Sequence, residues 1–115
     1  MSIRNKLRSI TVGSKKVVNS IELEYEGEKF EFRQITYRDR KSLLEKSEGK
    51  DGKVDGTAFQ IWGVISMTYV PGTEEKVFDE GDFDILMNQP VGGFIDKFSE
   101  EITKLLGVSE EAEKN

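Results

Sequence analysis

The stretch from Ala58 to Val70 constrains this chain most. It carries Ala58, Phe59, Ile61, Trp62, Val64, Ile65 and Tyr69. Wound as a helix, these side chains cover most of the circumference. A helix that is apolar nearly all round has to be central, with other elements packed around it. The spacing predicts a helix from Thr57 to Tyr69, stopped by a turn at Pro71-Gly72. Gln60, Gly63, Ser66 and Thr68 interrupt the run. It also falls short of the roughly 18 apolar residues a membrane span needs, so it reads as a core helix.

The covering elements are legible on both sides. Ile21, Leu23 and Tyr25 alternate with glutamates, and Phe30 and Phe32 alternate with Lys29, Glu31 and Arg33. A period of two on either side of a short turn predicts a β-hairpin over 17–35, with Gly27 supplying the positive φ. Two strands alone are not stable, so the apolar face of the hairpin must lie on helices. A first helix is predicted from Tyr37 to Lys46, with Thr36 as N-cap, Asp39 in the first turn, Tyr37, Leu43 and Leu44 inward and Gly49 ending it. Residues 47–56, with three glycines among charges, read as a flexible loop that cannot pack. A third helix is predicted from Glu80 to Asn88, capped by Asp79, with Phe83, Leu86 and Met87 inward. Pro90 reads as the first residue of a fourth helix, and Gly107 as its end. Val91, Phe94, Ile95, Phe98, Ile102, Leu105 and Leu106 form its stripe. The expected architecture is α+β, an N-terminal β-hairpin followed by about four packed helices.

Three regions are expected within the 115 residues: a flexible basic arm at 1–16, one globular domain at 17–107 and an acidic, frayed tail at 108–115. The arm holds Arg4, Lys6, Arg8, Lys15 and Lys16 without one acid, whereas the remainder carries a net charge of −10. Ile3, Leu7 and Ile10 have helical spacing in the arm, but such a helix is too short to be stable alone. The arm has no apolar core of the kind a signal peptide needs. The acidic body opposes phosphate, so no nucleic-acid face is expected, and no membrane contact either.

The chain contains no histidine and no cysteine. That removes disulfides, imidazole and thiolate metal sites, and the commonest general base and strong nucleophile. No oxidising compartment is required, which points to a cytosolic setting. At Asp51 a calcium loop fails, because Lys53 and Trp62 stand where oxygen ligands belong. Asp79, Glu80, Asp82 and Asp84 read as a helix cap rather than a cation site. No activated serine, perturbed lysine or phosphate-cradling glycine motif is present. The expectation is a non-enzymatic protein with no cofactor and no metal, acting through protein–protein contact. Gly92-Gly93 reads as a loosened first turn or as a site of close backbone approach.

Several short motifs are familiar together. They are Ile65-Ser66-Met67-Thr68-Tyr69-Val70-Pro71-Gly72-Thr73, then Lys76-Val77-Phe78-Asp79-Glu80-Gly81-Asp82, and a closing Leu105-Leu106-Gly107-Val108-Ser109. Phe30 to Arg40 precede them as the lead into the first helix. Over roughly residues 28–115 this resembles the tail assembly chaperones of siphophages and their prophages. Asp79 stands where that pattern commonly has threonine, Gly92-Gly93 is unusual for it, and the basic arm lies outside it.

The resemblance implies a chaperone that coats the tape measure protein, keeps this long apolar rod soluble and helps recruit tail tube protein. It implies action in the cytoplasm of the infected or lysogenic bacterial host and absence from the mature virion. Self-association is also expected, since a rod offers many equivalent positions. Many relatives are also made in a longer, frameshifted form, and Glu113-Lys114-Asn115 is compatible with a slippery codon run. A head–tail connector or tail-completion protein is the alternative, being also small and α+β. The residues expected near the partner-binding face are Trp62, Met67, Met87, Phe94, Phe98, Ile102 and Leu105.

Overall fold

The computed structural model describes residues 2–12 and 19–107. The acidic tail, the slippery-site residues and positions 13–18 lie outside the described residues. Mixed α and β structure is found: a three-stranded antiparallel sheet and, among the described residues, six α-helices.

Strands β1 (Ser20–Tyr25) and β2 (Glu28–Arg33) form the expected hairpin, with Ile21 opposite Phe32 and Leu23 opposite Phe30. Glu26 and Gly27 both have positive φ, at 52° and 84°, the type I′ geometry whose twist matches the strands. One face carries Leu23, Tyr25, Phe30 and Phe32 onto the helices, and Phe32 is fully buried.

Helix α2 (Tyr37–Lys46) has the bounds the sequence predicts. The Thr36 hydroxyl accepts from the Asp39 amide at 3.1 Å, and the Asp39 carboxylate accepts from the Thr36 amide at 3.3 Å. Leu43 is buried, but Tyr37 is 84% exposed rather than inward. Its ring lies 4.9 Å below the Arg40 guanidinium on the surface. The helix ends at Ser47, before Gly49, where the Ser47 hydroxyl donates to the Leu43 carbonyl at 2.6 Å.

The loop that follows is tied down, contrary to expectation. Glu48 bridges Val54, the Gly49 amide donates to the Lys53 carbonyl at 2.8 Å, and the Asp55 amide donates to the Ser47 carbonyl at 2.8 Å. Backbone pairing orders this segment without any apolar burial. It delivers Asp55 as the N-cap of α3 (Gly56–Met67).

Helix α3 is the central helix, with Ala58, Phe59, Ile61, Val64, Ile65 and Met67 buried. It stops two residues earlier than predicted. Thr68–Tyr69 form strand β3, which pairs with β2 through Glu31–Tyr69 and Phe32–Thr68. The Thr68 hydroxyl donates to the Val64 carbonyl at 2.7 Å, satisfying one of the last helical acceptors. Pro71 disfavours helical geometry just before it, and the open edge of β2 offers backbone partners.

Asp79 caps a 3-10 turn (Glu80–Asp82) that runs into α4 (Phe83–Met87), so the predicted helix from Glu80 is shorter and tighter. The predicted fourth helix is broken in three. Pro90 lies in an irregular segment, Gly92 has φ +87°, and α5 (Phe94–Lys97) and α6 (Ser99–Leu106) are separated at Phe98. Two glycines disfavour helix, and the Asp96 carboxylate accepts the Gly92 amide at 2.6 Å to hold the turn. At Phe98, packing overrides the repeat, because its ring meets Tyr25, Phe32 and Phe94. Gly107 ends α6 in the left-handed region, as predicted, and its carbonyl accepts from the Arg40 guanidinium at 3.0 Å.

Helix α1 (Ile3–Val12) lies in the basic arm, at the spacing the sequence suggests. None of its residues is buried.

Candidate partner groove

The described residues form an open apolar groove of about 460 Å³. Its parts come from six places in the chain, one of them the connector at Val77 and Phe78. The hairpin turn supplies Tyr25, Glu26 and Phe30, and the first turns of α3 supply Thr57, Gln60 and Ile61. Ile85 to Met87 come from α4, Pro90 and Val91 from the glycine turn, and Phe94 to Asp96 from α5. The turn at Gly92 is what puts Val91 on the rim instead of on the buried side of a long helix.

Phe94 organises the floor. Its ring centroid lies 5.0 Å from Phe30, 5.2 Å from Tyr25, 5.4 Å from Phe98 and 6.2 Å from Phe78. Edge-to-face and tilted rings at these separations hold one another in register, each pair adding about 0.5–1.5 kcal/mol beyond burial. The floor is therefore closely packed, while the rim is more open: Val91 is 95% exposed, Ile85 60% and Met87 41%. The two charged side chains in the lining, Glu26 and Asp96, are both acidic. An arrangement of this kind can bury apolar side chains presented by a helix and attract a basic flank.

The sequence-predicted partner residues do not share one face. Met87 and Phe94 line the groove. Phe98 and Ile102 lie in the core, at 5% and 0% exposure, and Met67 is buried in α3. Inward-facing stripes on α3 and α6, and the junction between α5 and α6 for Phe98, place them there as core residues of this fold. Trp62 is half-buried elsewhere, stacked on Phe83 at 4.4 Å with the Lys46 ammonium 4.9 Å over its ring. Leu105 lines a smaller depression with Ile35 and Arg40. Tyr25, Phe30, Phe78 and Val91 line the groove as well, although the sequence pattern marks them only as hairpin, connector or core residues. The one available signal was Ile85, which falls off the inward stripe of its helix.

Two polar staples stand beside the groove-bearing elements. Arg33 donates to Glu31 at 3.0 Å, to Glu74 at 3.2 Å and to the Thr73 carbonyl, and lies 3.9 Å over the Tyr69 ring. Glu31 also accepts the Gly72 amide at 2.9 Å. The bond from Arg33, then that from Gly72, holds the Glu31 carboxyl below the usual carboxylate range. Lys46 donates to Glu80 at 2.8 Å and lowers that carboxyl in the same way. Both pairs fix backbone geometry: Arg33 with Glu31 and Glu74 ties β2 to the turn after β3, and Lys46 ties α2 to the 3-10 turn.

Among the described residues no cluster of three or more acidic side chains is arranged to hold a metal ion, and no helix is long and apolar enough to cross a membrane. Comparison with protein-family models, curated proteins and solved structures finds no match for the chain.

Proposed function

We propose that this protein is a phage tail assembly chaperone whose groove receives apolar helical segments of the tape measure protein. It acts without catalysis, cofactor or metal in the cytoplasm of the infected or lysogenic bacterium, helps recruit tail tube protein, and is absent from the mature virion. The observation that carries this reading is the groove itself: a packed aromatic floor under an exposed or part-exposed apolar rim at Val91, Ile85 and Met87.

The energetics suit a transient partner. Completing the burial of these partly exposed side chains contributes roughly 3–6 kcal/mol before costs. Association costs about 4–15 kcal/mol in lost freedom. One groove on one helix is therefore a weak, reversible contact, as required of a coat displaced when the tube forms. The net charge of −5 keeps the coated rod dispersed.

The test is co-expression with the tape measure protein of the same gene cluster, followed by pull-down and size exclusion. A soluble complex with many copies of this chain per rod is expected. A rod that precipitates unchanged while this protein runs free would overturn the reading. Recovery of the chain in purified virions would favour a head–tail connector or tail-completion role instead.

A further inference from the structure

We infer that the groove is also a docking site for helix α1 of a second copy of this chain, so that copies associate head to tail through α1 and groove. Two unpartnered surfaces on the same molecule carry this inference. Ile3, Leu7 and Ile10 form one stripe on α1, and all three are more than half exposed. At 100° per residue, Arg4 and Lys6 flank that stripe on either side. A ten-residue helix is marginal in water unless its apolar face is covered.

The groove offers the complementary chemistry. Its rim is aliphatic, at Ile85, Met87 and Val91, and its charged residues are Glu26 and Asp96. The leader is uniformly basic, whereas the rest of the chain carries −10. Within one chain α1 does not fill the groove, since none of its residues is buried. A helix that meets the groove of the next copy leaves its own groove open, so the contact is heterologous and extends into chains or closes into rings.

The association uses the groove assigned above to the client, and needs no client. Copies cover one another's apolar rims when no rod is present, and a client helix competes with α1. Failure of the tape measure experiment leaves this inference standing, and the reverse also holds.

The test uses the full-length chain and light scattering over a range of concentrations. Wild type should grow in mass with concentration, and less so at high salt. Leu7→Glu and Val91→Glu alter exposed positions, so melting temperatures measured at concentrations where all the chains are monomeric should be unchanged. Each variant alone should lose about ten- to a hundred-fold in association. Glu26→Lys should lose about two- to five-fold. Mixed one to one, Leu7→Glu retains a working groove and Val91→Glu a working α1. They should therefore form a heterodimer and nothing larger. The inference is overturned by a wild type that stays monomeric throughout, including one whose α1 amides are protected by docking in its own groove. Oligomers that neither substitution disturbs would overturn it too, as would variants that fail to complement when mixed.

Discussion

Helices α6 and α1 carry similar apolar stripes and meet opposite fates. In α6, Ile102 and Leu106 are buried to 0% and 2% exposure. In α1, Ile3, Leu7 and Ile10 have comparable spacing, and none is buried. Periodicity is thus a statement about which side chains share a face, and not about what covers that face. Cover comes from the rest of the chain. For α6 it is α3, approached so closely that Gly63 faces Leu106 with no room for a side chain. For α1 the described residues bury no side chain, and the groove beside α5 is an apolar surface also left open.

The largest expected effect strikes the covered stripe. Ile102→Ala should destabilise the fold by about 2–5 kcal/mol, measured by denaturant unfolding. A loss under about 1 kcal/mol would mean that α6 is not packed as described.

Gly63→Ala comes next. An added Cβ would lie 2.7 Å from Leu106 Cδ2, inside any permitted contact. Overpacking of about 1–3 kcal/mol should outweigh the gain of about 1 kcal/mol in helix propensity. In a Leu106→Ala background the same change should become neutral or stabilising, which isolates the α3–α6 contact.

Thr36→Ala should cost about 1 kcal/mol by removing one half of the capping box of α2. It tests an element both sequence and structure place identically.

Acid should reveal the Arg33 staple. The Glu31 carboxyl is lowered from its ordinary value of 4.5, mainly by Arg33 and Gly72. A depressed folded-state value means that its stabilisation is present above that ordinary value and is lost as pH falls through the lower, folded one. Glu31→Gln should flatten the fall in stability below pH about 4.5 relative to wild type, with little effect on the slope near neutrality.

The smallest effect should strike the uncovered stripe. At concentrations where the chain is monomeric, Leu7→Ala should change stability by less than about 0.5 kcal/mol, because Leu7 is more than half exposed. A larger loss would show that α1 packs on its own body and would end the contrast with α6.

Much of this fold was legible in the residues. Alternation marked the hairpin down to its Gly27 turn, Thr36 and Asp39 marked the start of α2, and the all-round apolar pattern marked α3 as central. Breaks were less legible. The stripe from Val91 to Leu106 is consistent with one helix, and only the cost of Gly92-Gly93 hinted otherwise. Strand β3 was hidden because Thr68 and Tyr69 extend the helical pattern, and their pairing partner lies on β2, far away in sequence. The groove was the least legible feature. It gathers residues from the hairpin turn, α3, α4, the glycine turn and α5, a convergence that no local pattern encodes. That is also why Phe98 and Ile102 passed for partner residues: a stripe does not say which of its members face outward.

The most direct test of the account is whether the tape measure protein depends on the groove rim. Co-expressed with it, wild type should hold the rod soluble, while Val91→Glu, equally stable on its own, should leave it insoluble. A Val91→Glu protein that solubilises the rod as well as wild type would contradict the account and move the client to another surface.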